Sequence, residues 1–161
     1  IEFTANGAGI GSDIRSQGGE IELEMRVQAP TWIAVDRVEL YENGVVIEEW
    51  EIEASVDEVR FEETVFLQPS RDSWYVVVAM GEGDLSPVFT PIEVPYVELQ
   101  SVVEKALADV EALAVLMEPS VPIPRVFPIH PYALTNPIWV DVEGGGFDAP
   151  GHPAWWINGE P

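Results

Sequence analysis

The residues with the clearest capacity for chemistry are three carboxylates in one glycine-rich stretch, Asp141, Glu143 and Asp148. They follow the apolar run 138–140, and the three glycines 144–146 lie between the second and the third of them. Hard cations such as Ca²⁺ take six or more oxygen ligands from a flexible loop, and ligands two residues apart suit such a loop. The three carboxylates are therefore candidate metal ligands, with Ca²⁺ as the candidate cofactor. In the alternative interpretation, the stretch is a glycine turn in which Asp141 caps backbone amides.

Other reaction chemistries have less support. His130 and His152 are the only histidines, and their spacing is not that of a zinc site, so structural or surface roles are expected. No serine lies in a Gly-x-Ser-x-Gly context, and the chain has no cysteine, which excludes disulfides and thiolate chemistry. We therefore predict no catalytic residue. A small metalloenzyme that uses the Asp141 loop is the remaining enzyme interpretation.

The charge balance excludes two classes of partner. The chain has 29 acidic and 7 basic residues, for a formal net charge of -22. Such a surface repels nucleic acid phosphates and anionic membranes. No apolar run reaches the roughly 18 residues that a membrane span requires. The acidity is explained by solubility, and attraction of cations is the functional alternative.

The hydrophobic pattern is that of a mainly β protein. Residues 20–27 alternate between apolar and charged side chains, and residues 59–67 alternate again, as in half-buried antiparallel strands. Asn43-Gly44 between two apolar runs is a strong hairpin signal. Residues 73–80 are apolar on both faces, which indicates a central strand. Strands with turn signals at this spacing predict an immunoglobulin-like antiparallel β-sandwich, in which Tyr75 is either a tyrosine-corner residue or an ordinary core or rim aromatic.

The pattern changes in the second half of the chain. Residues 99–117 predict one long amphipathic α-helix of about five turns, because their apolar side chains recur every three or four residues. A proline-dense run, 119–131, follows and cannot form a central strand. We expect the helix to lie over an open end or face of the sandwich, with a partner-binding helix as the alternative. The apolar positions are Leu99, Val103, Ala106, Leu107, Val110, Leu113, Ala114 and Met117.

Five stretches of the chain have a distinctive sequence. They are I-E-F-T-A-N-G at 1–7, V-Q-A-P-T-W-I-A-V-D-R-V-E-L-Y-E-N-G at 27–44, R-D-S-W-Y-V-V-V-A at 71–79, L-S-P-V at 85–88 and T-N-P-I-W-V-D-V at 135–142. In this order they resemble the region after the catalytic domain in PHP-superfamily (polymerase and histidinol phosphatase) metallohydrolases of the CehA/McbA type.

The resemblance implies a C-terminal β-sandwich domain of a metal-dependent hydrolase, with 97–131 as an insertion. None of the family's catalytic His and Asp clusters is present, so no catalytic residue carries over. The family's terminal D-x-D-G-x-G loop is matched by Asp141, Glu143, Gly144 and Gly146.

The resemblance leads to an expected function. Residues 1–161 are expected to form one domain from the C-terminal side of a larger protein, a non-catalytic accessory domain that packs on a preceding PHP-type domain. The alternative is an independent carbohydrate- or protein-binding module that uses exposed tryptophans. An exposed apolar surface could also support a dimer, and an extracytoplasmic location is the working expectation. An exposed row of tryptophans would favour the binding module, and an apolar patch near Ile1 would favour docking to a catalytic domain.

Overall fold

The computed structural model describes residues 1–86, 88, 92–93, 126–127 and 129–153, which form a mainly β structure with two large sheets. The first sheet has the strand order β2-β1-β4-β7, and the second has the order β3-β12-β8-β5-β6, with β11 also paired to β8. A separate ladder joins β9 to β10. The strands are β1 Glu2–Ala5, β2 Ala8–Gly9, β3 Asp13–Arg15, β4 Ile21–Gln28, β5 Arg37–Glu42, β6 Val45–Glu51, β7 Val59–Leu67, β8 Ser73–Met80, β9 Ile92–Glu93, β10 Val126–Phe127, β11 Tyr132–Leu134 and β12 Ile138–Asp141.

Strand β4 shows how the alternating sequence produces the first sheet. Ile21, Leu23, Met25 and Val27 are buried, and the intervening side chains point away from the core. The strand pairs antiparallel with β1 on one side and with β7 on the other. The predicted half-buried antiparallel strand is confirmed, because alternation puts every second side chain on the buried face.

The Asn43-Gly44 turn joins β5 to β6, as the sequence predicts. Asn43 has φ 53° and Gly44 has φ 80°, the positive values that a type I′ hairpin turn requires at both central residues. Asn43 is also anchored by its side chain, which donates to Ser73 Oγ at 3.1 Å and accepts from the Trp74 amide at 3.0 Å. The turn is therefore fastened to the start of β8.

Buried residues of both sheets belong to one hydrophobic cluster. The first sheet contributes Leu23 and Met25, and the second contributes Leu40, Val77 and Val140, among others. Among the described strands, β3 and β12 pair in parallel and the other pairs are antiparallel, so the second sheet is mixed. The helix predicted at 99–117 and most of the 97–131 insertion lie outside the described residues. Within the described part of the chain, no helix is long and apolar enough to cross a membrane.

Tyr75 is a core aromatic rather than a rim residue. Its side chain is fully buried, and its hydroxyl donates to Glu42 Oε1 at 2.8 Å. Burial, followed by the Glu42 hydrogen bond, raises the pKa of Tyr75 far above its usual value. A tyrosine corner instead bonds to the backbone a few residues upstream, so the geometry is that of the core alternative.

Gly81, directly after β8, offers a test of how tightly the loops pack on the sheets. A Cβ atom at Gly81 would overlap the Ala34 carbonyl oxygen and lie 3.0 Å from the Ala34 carbonyl carbon. We expect Gly81→Ala to lower the free energy of unfolding by about 1–3 kcal/mol, because the backbone must move. Chemical denaturation measures the change. Gly9→Ala is the control, since no atom lies within 4 Å of a Cβ there. Equal effects at the two positions would contradict the close approach.

Candidate functional site: the Asp141 loop

Strand β12 places Asp141 at the edge of the core. The strand pairs antiparallel with β8, where Trp139 lies opposite Trp74, and parallel with β3, where Asp141 lies opposite Arg15. Three of its four residues are buried, as the apolar run predicts. Asp141 itself is only 1% exposed. The glycine-rich loop therefore starts from a carboxylate that is held rigidly between two strands.

Both carboxylate oxygens of Asp141 accept hydrogen bonds from the loop that follows. Gly144 N–H donates to Oδ1 at 2.6 Å, and Gly146 N–H donates to Oδ2 at 2.8 Å. Gly144 and Gly146 have positive φ values of 81° and 101°, which glycine adopts without a Cβ penalty. The loop thus curls around the Asp141 side chain. These bonds are those of the alternative interpretation, in which Asp141 caps backbone amides.

A second carboxylate, Asp72, holds the far side of the same loop. Its Oδ1 accepts from the Val142 amide at 2.8 Å, and its Oδ2 accepts from the Asp148 amide at 2.6 Å. Asp72 lies in the turn before β8 and reaches the loop only because β8 and β12 are paired. Sequence reasoning did not assign it to the site, because its partners are distant in the chain and no local pattern links them.

These hydrogen bonds also set the ionisation of Asp72. The bond from the Asp148 amide, followed by the bond from the Val142 amide, lowers the pKa of the Asp72 carboxyl below its ordinary value. Amide donors stabilise the ionised form, since a carboxylate accepts hydrogen bonds at both oxygens. The loop and the charged state of Asp72 are therefore coupled.

The other two predicted ligands are placed differently from Asp141. Glu143 and Asp148 are both exposed, and Asp148 is engaged with Asp72 through its backbone amide. Arg15 forms an ion pair with Asp141: its Nε lies 3.7 Å from Asp141 Oδ2, and its side chain is 66% exposed. Within residues 1–86 and 129–153, no group of three or more His, Cys, Asp or Glu side chains is arranged to hold a metal. The calcium site stays a prediction, and the geometry supports a loop stabilised by two carboxylates.

The two histidines line different surface depressions. His130 is exposed, and its Nδ1 is 3.2 Å from the Gly83 carbonyl oxygen. His152 is exposed and lines a small cleft of about 290 Å³ with Glu42, Arg71 and neighbouring prolines. The two side chains therefore have surface positions at different parts of the structure.

Comparisons with protein-family models, with curated proteins and with solved structures found no match for this chain. The resemblance to PHP-type proteins therefore stays a prediction based on the stretches quoted above.

Removing the Asp141 carboxylate tests the capping role. We expect Asp141→Ala to lower the free energy of unfolding by about 2–4 kcal/mol, because the Gly144 and Gly146 amides lose their acceptors and a buried side chain is removed. Glu143→Ala, an exposed carboxylate in the same loop, should change it by less than about 0.5 kcal/mol. Denaturant unfolding measures both. A saturable heat of calcium binding that disappears in Asp141→Ala would instead support the calcium loop.

The lowered pKa of Asp72 predicts an acid-sensitive loop. Because the pKa of the folded state lies below that of the unfolded state, the stabilisation is complete above the ordinary Asp pKa of about 4. It is lost as the pH falls from there through the folded-state pKa. We expect Asp72→Asn to be less stable than wild type at pH 6, with a difference that shrinks by pH 3. A constant difference over this range, measured by denaturant unfolding, would contradict the coupling.

Proposed function

We propose that this chain is a non-catalytic accessory domain with an immunoglobulin-like β-sandwich fold that packs on a PHP-type metal-dependent hydrolase domain of the same parent protein. The shared hydrophobic cluster of the two sheets supports the sandwich. The roles of the site carboxylates support the non-catalytic assignment, since the carboxylates of Asp141 and Asp72 both accept hydrogen bonds from backbone amides of the loop. Accessory packing requires a surface suited to docking, and one end of the first sheet provides it.

The observation that carries the proposal is a surface made of two loops, 29–33 and 55–58, each of which exposes a large apolar side chain. Trp32 is 54% exposed and Val56 is 74% exposed, and Trp32 borders a depression of about 430 Å³. The backbone of the two loops is joined by the bond from the Ala29 amide to the Glu58 carbonyl at 3.0 Å. Large exposed aromatic side chains beside a depression are typical anchors of protein interfaces.

A buried arginine holds these loops together. Arg60 is only 8% exposed, and its guanidinium donates to the carbonyl of Pro30 at 2.8 Å, to that of Ile33 at 3.2 Å and to that of Ser55. The planar guanidinium offers several donors in a fixed geometry, so it fixes three backbone positions at once. Trp32 and Val56 are therefore presented on a preorganised support, which lowers the entropic cost of docking.

The position of this surface fits a domain that precedes residue 1. Glu2 lies opposite Arg26 in the first sheet, so β1 begins at the end of the sheet where β4 finishes. The loop with Trp32 follows β4 directly. A domain joined before β1, as the family resemblance implies, would meet this end first. The docking surface is thus close to the expected connection.

Trp32 provides the test of the proposed docking. We expect the chain to bind a separately produced PHP-type domain encoded upstream in the same reading frame, and Trp32→Ala to weaken the affinity by about tenfold or more. Phe66→Ala is the matched control. Phe66 is 57% exposed and lies at the opposite end of the same sheet, opposite Glu22. Calorimetry or surface plasmon resonance measures the affinities.

Two results would overturn the proposal. One is unchanged affinity in Trp32→Ala. The other is the absence of any PHP-type domain in the frame, together with saturable binding of the chain to a polysaccharide, which would support the independent binding module.

Among the described tryptophans only Trp32 is exposed, while Trp50, Trp74 and Trp139 are half-buried. A row of exposed tryptophans is therefore not seen in the described part of the chain.

A further inference from the structure

The backbone of the loop 29–33 fixes the position of Trp32. The Ile33 amide donates to the Pro30 carbonyl oxygen at 3.0 Å, which closes a four-residue turn with Thr31 and Trp32 at its central positions. Central residues of a β-turn lie at its corner, where the chain reverses. The Arg60 guanidinium holds both ends of this turn, since it donates to the carbonyls of Pro30 and Ile33. Trp32 therefore stands at a fixed corner of the surface.

The depression beside Trp32 has an acidic lining. In the described part of this lining, Glu58 has the only charged side chain. The backbone of Glu58 is fixed, because it directly precedes β7 and its carbonyl oxygen accepts from the Ala29 amide. The indole of Trp32 and the carboxylate of Glu58 thus border the same depression from two different loops. Its neutral lining residues are Gln28, Ala29, Pro30 and Thr31.

Among the described residues, the Glu58 carboxylate has no ion pair and no hydrogen-bond donor. The adjacent Asp57 carboxylate is different, because it accepts from the Ser55 hydroxyl at 2.9 Å. The buried Arg60 uses its two terminal nitrogens for backbone carbonyls of the two loops. The lining therefore offers an exposed carboxylate and an aromatic face to a group from another molecule.

Charge complementarity makes a cation the favoured occupant. The chain has a formal net charge of -22, so its field attracts positive groups and repels negative ones. A tryptophan indole is the best aromatic partner for a cation. A guanidinium stacks on an indole, forms paired hydrogen bonds to a carboxylate and is more weakly hydrated than an ammonium. An arginine side chain therefore fits Trp32 and Glu58 better than a lysine or a neutral sugar does.

We infer that the partner of the Trp32 surface, the two loops 29–33 and 55–58, contributes an arginine whose guanidinium lies over the Trp32 indole and pairs with the Glu58 carboxylate. This contact rests on the proposed docking function and specifies the chemistry of the docking partner. Val56, which is 74% exposed on the second loop, provides apolar contact with the same partner. Apolar contacts exclude water from an interface, and an ion pair is electrostatically stronger in the lower dielectric that results.

A peptide probe tests the cation preference in the absence of the partner domain. The probe is acetyl-Gly-Arg-Gly-amide, and its control has citrulline, a neutral residue of nearly the same shape, in place of arginine. We expect the arginine peptide to shift the Trp32 indole N–H resonance saturably, with an affinity at least about fivefold above that of the citrulline peptide. Glu58→Gln should weaken this affinity by about threefold or more. Glu22→Gln, which removes the same charge at the other end of the sheet, should change it by less than about twofold.

Three results of the peptide titration would overturn the inference. They are equal shifts by the two peptides, no saturable shift, and a saturable shift by a neutral oligosaccharide such as cellohexaose but not by the arginine peptide. A shift that depends on the concentration of the chain itself would indicate a second copy on this surface and would also overturn it.

The docking assay separates the arginine contact from docking itself. With the upstream PHP-type domain as the partner, Glu58→Gln should weaken the affinity by about tenfold, whereas Glu22→Gln should change it by less than about twofold. If Trp32→Ala weakens docking and Glu58→Gln does not, docking is supported and the arginine contact is overturned. If the domain does not bind and the arginine peptide does, the accessory function is overturned and the cation preference of Trp32 and Glu58 is supported.

Discussion

The register of strand β8 is the constraint on which the second sheet depends. Strand β5 pairs along its full length on one side, and β12 and β11 pair in succession on the other. This register puts Tyr75, Val77 and Ala79 into the core. A shift of one residue would exchange the core and outer faces of the strand and would also move Asp72 away from the loop that it holds.

At each end of β8, a carboxylate accepts hydrogen bonds from backbone amides of a loop. Before the strand, the Asp72 carboxylate accepts from the amides of Val142 and Asp148. After it, Asp36 Oδ2 accepts from the Glu82 amide at 2.6 Å. Loops carry backbone donors that no ladder satisfies, and an ionised carboxylate is a strong acceptor for them. Part of the acidity of this chain therefore has a structural use, apart from any effect on solubility.

Arg60 has the complementary role: its guanidinium donates hydrogen bonds to loop carbonyl oxygens. It donates to two loops that are separated in the chain, and so it shapes the end of the first sheet where Trp32 is exposed. Loops that are held in this way form a defined surface although they contain no regular secondary structure. The Asp141 loop and the Trp32 surface are thus built by one strategy, in which a charged side chain replaces the missing hydrogen-bond partners of the backbone.

Features that depend on near neighbours can be predicted from the amino-acid order. Alternation identified β4 and β7, Asn43-Gly44 identified the hairpin, and the apolar run 138–140 identified β12, because side-chain period and positive φ are local properties. Three other features are visible only in the folded chain: the parallel pairing of β3 with β12, the role of Asp72, and the bonds from Arg60 to three loop carbonyls. Those contacts join residues far apart in the chain, and their energies arise from ladders and buried hydrogen bonds that exist only once the sheets have assembled.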